Sequence, residues 1–135
     1  MSHHLMRLTV ALLFLGAGLP SFSACASSPT SPSREAVVTF RVVDEIFRVR
    51  LVTPEQIRAA EAAQAGRGPS IPIGRLRAGT DVNVGWSWHM VDVEFAEVTI
   101  ELCDGRPSLV EQEGPGFAQG WYCPWGARVV SIERR

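Results

Sequence analysis

The chain has 135 residues, with 13 basic and 14 acidic side chains and a formal net charge of −1. Every basic residue is arginine, and the acids are interspersed among them, so there is no basic stripe to follow a nucleic-acid backbone. No basic amphipathic stretch suggests a helix lying on a membrane either.

Met1 to Arg7 is a short basic start and Leu8 to Leu19 an apolar run of about a dozen residues, shorter than the ~20 a membrane span needs. This is the layout of a leader peptide over residues 1–24. Phe22-Ser23-Ala24-Cys25 reads as a lipobox, which would leave Cys25 as a lipidated N-terminus. Ala24-Cys25-Ala26 is also an A-x-A site, at which ordinary cleavage would release Ser27 onward. Both routes give an extracytoplasmic address, either lipid-anchored in the cell envelope or secreted. Residues 25–35 are rich in Ser and Pro and read as a tether. About 100 residues remain, a single domain over 36–135.

Ala36 to Val43 is rich in β-branched residues and predicts a strand. Asp44-Glu45 follows as a turn and Ile46 to Val52 as a second strand, the two forming a hairpin. Thr53-Pro54-Glu55-Gln56 is a capping box with proline at the first helical position, predicting a helix over about 54–65 that stops at Gly66. Ile57, Ala60 and Ala63 form its apolar stripe. Ile71 to Arg77 reads as a short strand, placed at a sheet edge by Pro72. Val84 to Val91 and Val93 to Cys103 read as two more strands, the second with a phase slip near Ala96 that suggests a bulge. Phe95, Val98, Thr99 and Leu102 also suit helical spacing there, and β-branching favours the strand. Pro107 to Glu113 suits a short second helix (about 107–113), Gly114 to Gly120 a Gly-rich loop, and Ala127 to Ile132 the last strand. The sum is an α+β fold with a mostly antiparallel sheet.

With Cys25 assigned to the leader, Cys103 and Cys123 remain, and in an oxidising compartment such a pair forms a disulfide. The rival use of both thiolates, a metal site shared with His89, lacks C-x-x-C spacing. His3 and His4 fall in the leader, so any imidazole chemistry of the mature chain runs through His89.

Three groups of residues could carry function. In Trp86-Ser87-Trp88-His89, strand alternation puts Trp86, Trp88 and Met90 on one face and Ser87, His89 and Val91 on the other. A Ser87–His89 nucleophile would also need an orienting acid, for which Asp92 and Asp104 are available, and an oxyanion hole; no G-x-S-x-G elbow is present. The alternative is two core tryptophans beside a hydrogen-bonded surface histidine. The second group is acidic: Asp92, Glu94, Glu97, Glu101 and Asp104. Glu97 and Glu101 share a strand face with Thr99, and with Asp104 they are the carboxylates that could serve calcium, although no D-x-D-x-D-G loop is present. A solvated acidic face is the alternative. The third is Trp121 to Trp125 around Cys123, which either shields a disulfide or offers aromatic anchors to a partner or a sugar.

Four segments in succession carry a resemblance: Trp86-Ser87-Trp88-His89, Ala96 to Gly105 (with Ile100-Glu101-Leu102-Cys103-Asp104), Pro107 to Glu111, and Cys123-Pro124-Trp125-Gly126-Ala127-Arg128-Val129-Val130. Their order resembles a domain of small secreted bacterial proteins. It also resembles the N-terminal domain of a calcium-dependent cell adhesion molecule of social amoebae. Val52-Thr53-Pro54-Glu55-Gln56-Ile57 suits that family's strand-to-helix junction, and the likeness runs from about Val37 to Ile132. It implies one extracytoplasmic domain without enzyme activity, and it supplies no set of calcium ligands.

The reading is therefore a non-enzymatic extracytoplasmic binding domain, linked to calcium if Glu97, Glu101 and Asp104 bind it, with no other cofactor. Its partner would be a protein or a surface ligand, approached through Trp86, Trp88, His89, Trp121 or Trp125. It would touch the membrane only through the Cys25 lipid and would bind no nucleic acid. The alternatives are a small hydrolase using His89 with Ser87, and an inhibitor of an extracytoplasmic enzyme.

Overall fold

The computed structural model of the chain describes residues 34–135; the expected leader, the expected lipidation site Cys25, and residues 26–33 of the expected tether lie outside the described residues. β1 (Ala36–Val42) and β2 (Glu45–Leu51) form the expected hairpin. The turn is Val43-Asp44, one residue earlier than Asp44-Glu45, because Val42 pairs with Glu45. That register sets Phe40 opposite Phe47, stacked at 5.2 Å, and turns Phe47, Val49 and Leu51 into the core together. Burying this apolar set fixes the register, and it leaves Val43 at φ 58°, where a β-branched residue is strained.

α1 (Pro54–Gln64) starts on the predicted capping box. The Thr53 hydroxyl accepts from Gln56 N–H at 3.2 Å, and Gln56 Oε1 accepts from Thr53 N–H at 3.1 Å. Ile57 and Ala60 are its buried residues. Ala63 is half-buried. α2 (Pro107–Glu113) spans the predicted second helix. Its N-terminus is capped from a distance: Glu45 on β2 accepts from Ser108 N–H at 2.8 Å and from the Ser108 hydroxyl at 2.7 Å.

β3 (Ile71–Ala78) pairs antiparallel with β4 (Trp88–Ala96), and β5 (Trp121–Tyr122) joins β3 on its other side. β6 (Arg128–Arg134) pairs antiparallel with β1. The result is two three-stranded sheets, ordered β2-β1-β6 and β4-β3-β5. With two helices and one disulfide, the fold is α+β and mostly antiparallel sheet, as the sequence predicts.

Three local expectations are corrected. First, β3 is a central strand, yet β5 pairs only with Gly74 and Arg75, so Pro72 has a single strand neighbour and its missing donor is tolerated. Second, in place of the two strands expected over Val84 to Val91 and Val93 to Cys103 there is one strand, β4, running from the second half of the first into the beginning of the second. The bulge is at Asp92, not near Ala96. Ile73 pairs with Glu94 and Arg75 with Val91, so Asp92 and Val93 both oppose Gly74, and Asp92 takes φ 53°. The extra residue moves the inward set from Trp88 and Met90 to Val93. A Cβ on Gly74 would lie 2.9 Å from the Met90 methyl and 3.0 Å from the Val91 carbonyl, which is why this position takes glycine. Beyond Ala96 the chain leaves the sheet, and Glu101–Cys103 forms a 3-10 turn. Third, Gly114–Gly120 is mostly 3-10 turn instead of open loop, broken where Ala118 and Gln119 take positive φ.

The core lies where the two sheets and α1 meet: Val38 and Phe40 from β1, Phe47 and Leu51 from β2, Ile57 from α1, Leu76 from β3, Trp88 and Met90 from β4, and Tyr122 from β5. Asn83, fully buried in the β3–β4 connection, ties the sheets together. Its Oδ1 accepts from Arg48 N–H on β2 at 2.8 Å, and its Nδ2 donates to the Trp88 carbonyl on β4 at 2.9 Å. Trp86 Nε1 donates to the Ile46 carbonyl at 2.8 Å, so the same connection covers the outer edge of β2.

Candidate interaction site

The disulfide between Cys103 and Cys123 is formed, with Cα atoms 5.1 Å apart. It joins the 3-10 turn after β4 to the segment leaving β5, and both cysteines are buried. The carbonyl oxygen of Ile100 lies 3.4 Å and 3.5 Å from the two sulfurs, so the bridge props the segment before the turn. Trp125 pins that segment from the other side: its backbone N–H donates to Asp104 Oδ1 at 2.8 Å and its indole N–H donates to the Thr99 hydroxyl. Trp121 lies at the far end of β5 with the Arg75 guanidinium 5.0 Å from its ring centre, a cation–π contact.

Between these supports opens a groove of about 440 Å³, lined mainly by Ile73, Ile100, Leu102, Cys103, Ala118 and Trp121. Three of its apolar residues are exposed: Ile100 is 66% accessible, Leu102 59% and Trp121 38%. Val98, beside Thr99 in sequence, and Trp125, hydrogen-bonded to Thr99, are exposed as well. Isolated exposed apolar residues are ordinary, but several lining one groove mark an interaction surface.

The residues singled out from the sequence separate in space. Trp121 and Trp125 belong to this face. Trp88 is fully buried and stacks edge-on with Tyr122 at 5.5 Å, so it is a core residue. Trp86 is half-buried, packed against that core, with its ring centre 6.1 Å from that of Trp88. Ser87 and His89 are not brought together. The Ser87 hydroxyl and N–H both donate to Glu111, at 3.1 and 2.9 Å. His89 Nδ1 sits 2.6 Å from the Gly79 carbonyl, and since a carbonyl only accepts, this nitrogen carries the proton. His89 lines a mixed cleft of about 340 Å³ with Arg50, Asp81 and Asp92 and with the apolar Val52, Met90 and Val91. There Arg50 makes two hydrogen bonds to Asp81, at 2.8 and 3.2 Å, and a further one to Glu35. The hydrogen bonds from Arg50 hold the Asp81 carboxyl below its ordinary range and raise the guanidinium in turn.

Of the acidic group, Asp104 accepts from Trp125, while Glu97 and Glu101 are exposed. They do not share a strand face with Thr99, because the chain has left the sheet before Glu97. Among the described residues no three His, Cys, Asp or Glu side chains come together as a metal group.

Reading the sequence missed Val98, Ile100 and Leu102 as surface residues. They lie beyond the end of β4, in irregular chain and a 3-10 turn where no single period governs the direction of side chains, so periodicity carried no signal for their exposure.

Residues 34–135 match the model of the BP-74 N-terminal domain family. No curated protein and no solved structure matches the chain significantly. The matched span takes in all six strands, both helices and the disulfide that carries the apolar face. The chain belongs to the BP-74 N-terminal domain family.

Proposed function

We propose that this protein is a non-enzymatic extracytoplasmic binding domain, and that it engages a protein partner through the apolar face beside the Cys103–Cys123 bridge. One observation carries the reading: Ile100, Leu102 and Trp121 are exposed together in one groove, whose Thr99 wall is held by the exposed Trp125 and whose Cys103 wall is held by the disulfide. Burying that much apolar surface is the main favourable term in association, and a rigid site gives up little entropy when it binds. The disulfide supports an address in an oxidising compartment, where the domain is tethered through a lipidated Cys25 or released. The proposed contact is built on apolar side chains and not on the carboxylates: Asp104 accepts from Trp125, and Glu97 and Glu101 are exposed.

The test is site-specific photo-cross-linking on intact cells. A photoreactive side chain at position 100 should give a discrete protein adduct, and one at position 67, on the exposed loop after α1, should not. Ile100→Ser with Leu102→Ser should prevent the same adduct from a probe at position 98. Equal labelling from positions 100 and 67 would sink the proposal. So would a melting midpoint that rises in millimolar calcium, combined with adduct formation that EDTA abolishes.

A further inference from the structure

The cleft lined by His89 lies between β4, the end of β2 and the start of α1, and it shares no lining residue with the apolar groove. Its charged donor is already engaged: Arg50 gives two nitrogens to Asp81 and the third to Glu35. The neutral His89 ring donates its one proton to the Gly79 carbonyl, which leaves Nε2 a bare acceptor. Among the described residues Nε2 has no hydrogen-bond partner, and the Asp92 carboxylate has neither a donor nor an ion pair. Asp92 is the bulged residue of β4, held at φ 53°. Left-handed backbone is costly at a residue other than glycine, and bulges recur where a strand re-aims a side chain. The charge around the cleft is negative, with Arg50 set against Asp81 and Asp92 and against Glu35 beside them. Arg77 stands opposite His89 on β3 but does not line the cleft. Val52, Met90 and Val91 add an apolar wall. His89, Asp81 and Asp92 do not converge as a metal group. Acceptors set apart around an apolar wall suit a molecule that spans them, not a bare ion.

We infer that this cleft binds a small alkylammonium group, whose N–H donors reach His89 Nε2 and the Asp92 carboxylate and whose carbon chain lies on Val52, Met90 and Val91. The cavity is near the small end of ligand pockets, which run from about 300 to 1,000 Å³. That size takes a short free amine or one lysine side chain of a partner, and the two present the same chemistry. A hydrogen bond between two charged groups is roughly twice as strong as a neutral one, so the ammonium is preferred to an alcohol of the same shape.

The test is an NMR titration of the isotope-labelled protein at about pH 8, where an ordinary imidazole is neutral. The probes are n-butylammonium, 1-butanol and butyrate as its neutral and anionic counterparts, and lysine blocked at both ends. Butylammonium should bind with a Kd of about 1 mM or tighter, and at least about tenfold more tightly than butanol. The His89 ring nitrogens and the amides of residues 90–92 should shift farthest. Asp92→Asn keeps the shape and tolerates the same backbone, so it should weaken the amine about tenfold with little change in Tm. Should that variant fail to fold, the unmutated protein still decides the matter through the probe series. Both amines binding upholds the inference, and the tighter of the two names the source, a free amine or a partner's lysine. Equal binding of ammonium and alcohol, binding of butyrate, or shifts confined to residues outside the cleft would overturn it. So would no binding of either amine at about 10 mM, more than two kcal/mol short of micromolar affinity. None of these results bears on the apolar groove.

Discussion

At the scale of single residues, Asn83 is the polar side chain that links one sheet to the edge strand of the other. It is fully buried, and its carboxamide bridges a β2 N–H and a β4 carbonyl, so each sheet satisfies the other through one side chain. In a small domain the edges of two packed sheets need such partners, because an unpaired buried main-chain group costs about 1–3 kcal/mol. Asn83→Ala should therefore lose roughly 2 to 4 kcal/mol and lower Tm by about 10 °C or more, read by thermal melting with circular dichroism. Asn83→Asp keeps the acceptor for Arg48 but loses the donor to Trp88 and buries a charge, so it should be no milder. A loss below about 1 kcal/mol in both variants would show that the sheets are held by apolar packing alone. Nothing in the sequence reveals this role. Asn83 stands in a run of Asp81-Val82-Asn83-Val84 that looks like any polar turn, and its two partners are 35 and 5 residues away.

The elements show which parts of the fold are locally encoded. Both helices were legible because their signals lie within one turn of chain, a capping box for α1 and a proline start for α2. The hairpin and the disulfide followed from β-branching and from cysteine count. What failed was long-range. The break between the two expected strands reflects Asp92, and only the partner strand with Gly74 makes that residue a bulge within one continuous β4. The apolar face failed for a related reason, since the chain leaves the sheet after Ala96 where a further strand was expected, and no local period governs residues 97–103. Gln56 joins the local and the distant signals. Its carboxamide caps α1 through Val52 and Thr53 N–H and also donates to the Val93 carbonyl on β4 at 2.8 Å, fastening the helix just beyond the bulge. Gln56→Glu keeps the capping acceptor and loses only the donor to β4, whereas Gln56→Ala loses both. Gln56→Ala should thus destabilise by about 1–2 kcal/mol and Gln56→Glu by less, as measured by urea unfolding with m unchanged. Equal losses would place the whole effect in the contact to β4.

For the whole molecule, the question is whether the disulfide supports the fold or chiefly the docking face. It closes a loop between residues 20 apart in sequence, worth about 3 kcal/mol by the chain-entropy account. A domain of this size has only about 5–15 kcal/mol of total stability, so the reduced chain should still fold, with a Tm lower by about 10–20 °C. The damage should be uneven. The main core holds Phe40, Phe47, Trp88 and Tyr122 and excludes both cysteines, which sit with Ile71 in a smaller cluster under the groove. The sheets should therefore keep their amide protection in Cys103→Ser with Cys123→Ser, while residues 97–103 and the Trp121–Trp125 segment exchange faster and groove binding weakens. Hydrogen exchange resolved by segment, run beside photo-cross-linking from position 100, decides the matter. Uniform loss of protection across β1 and β2 would make the bridge a global staple. Unchanged exchange at 97–103 would mean that Trp125, through Thr99 and Asp104, holds the face without it.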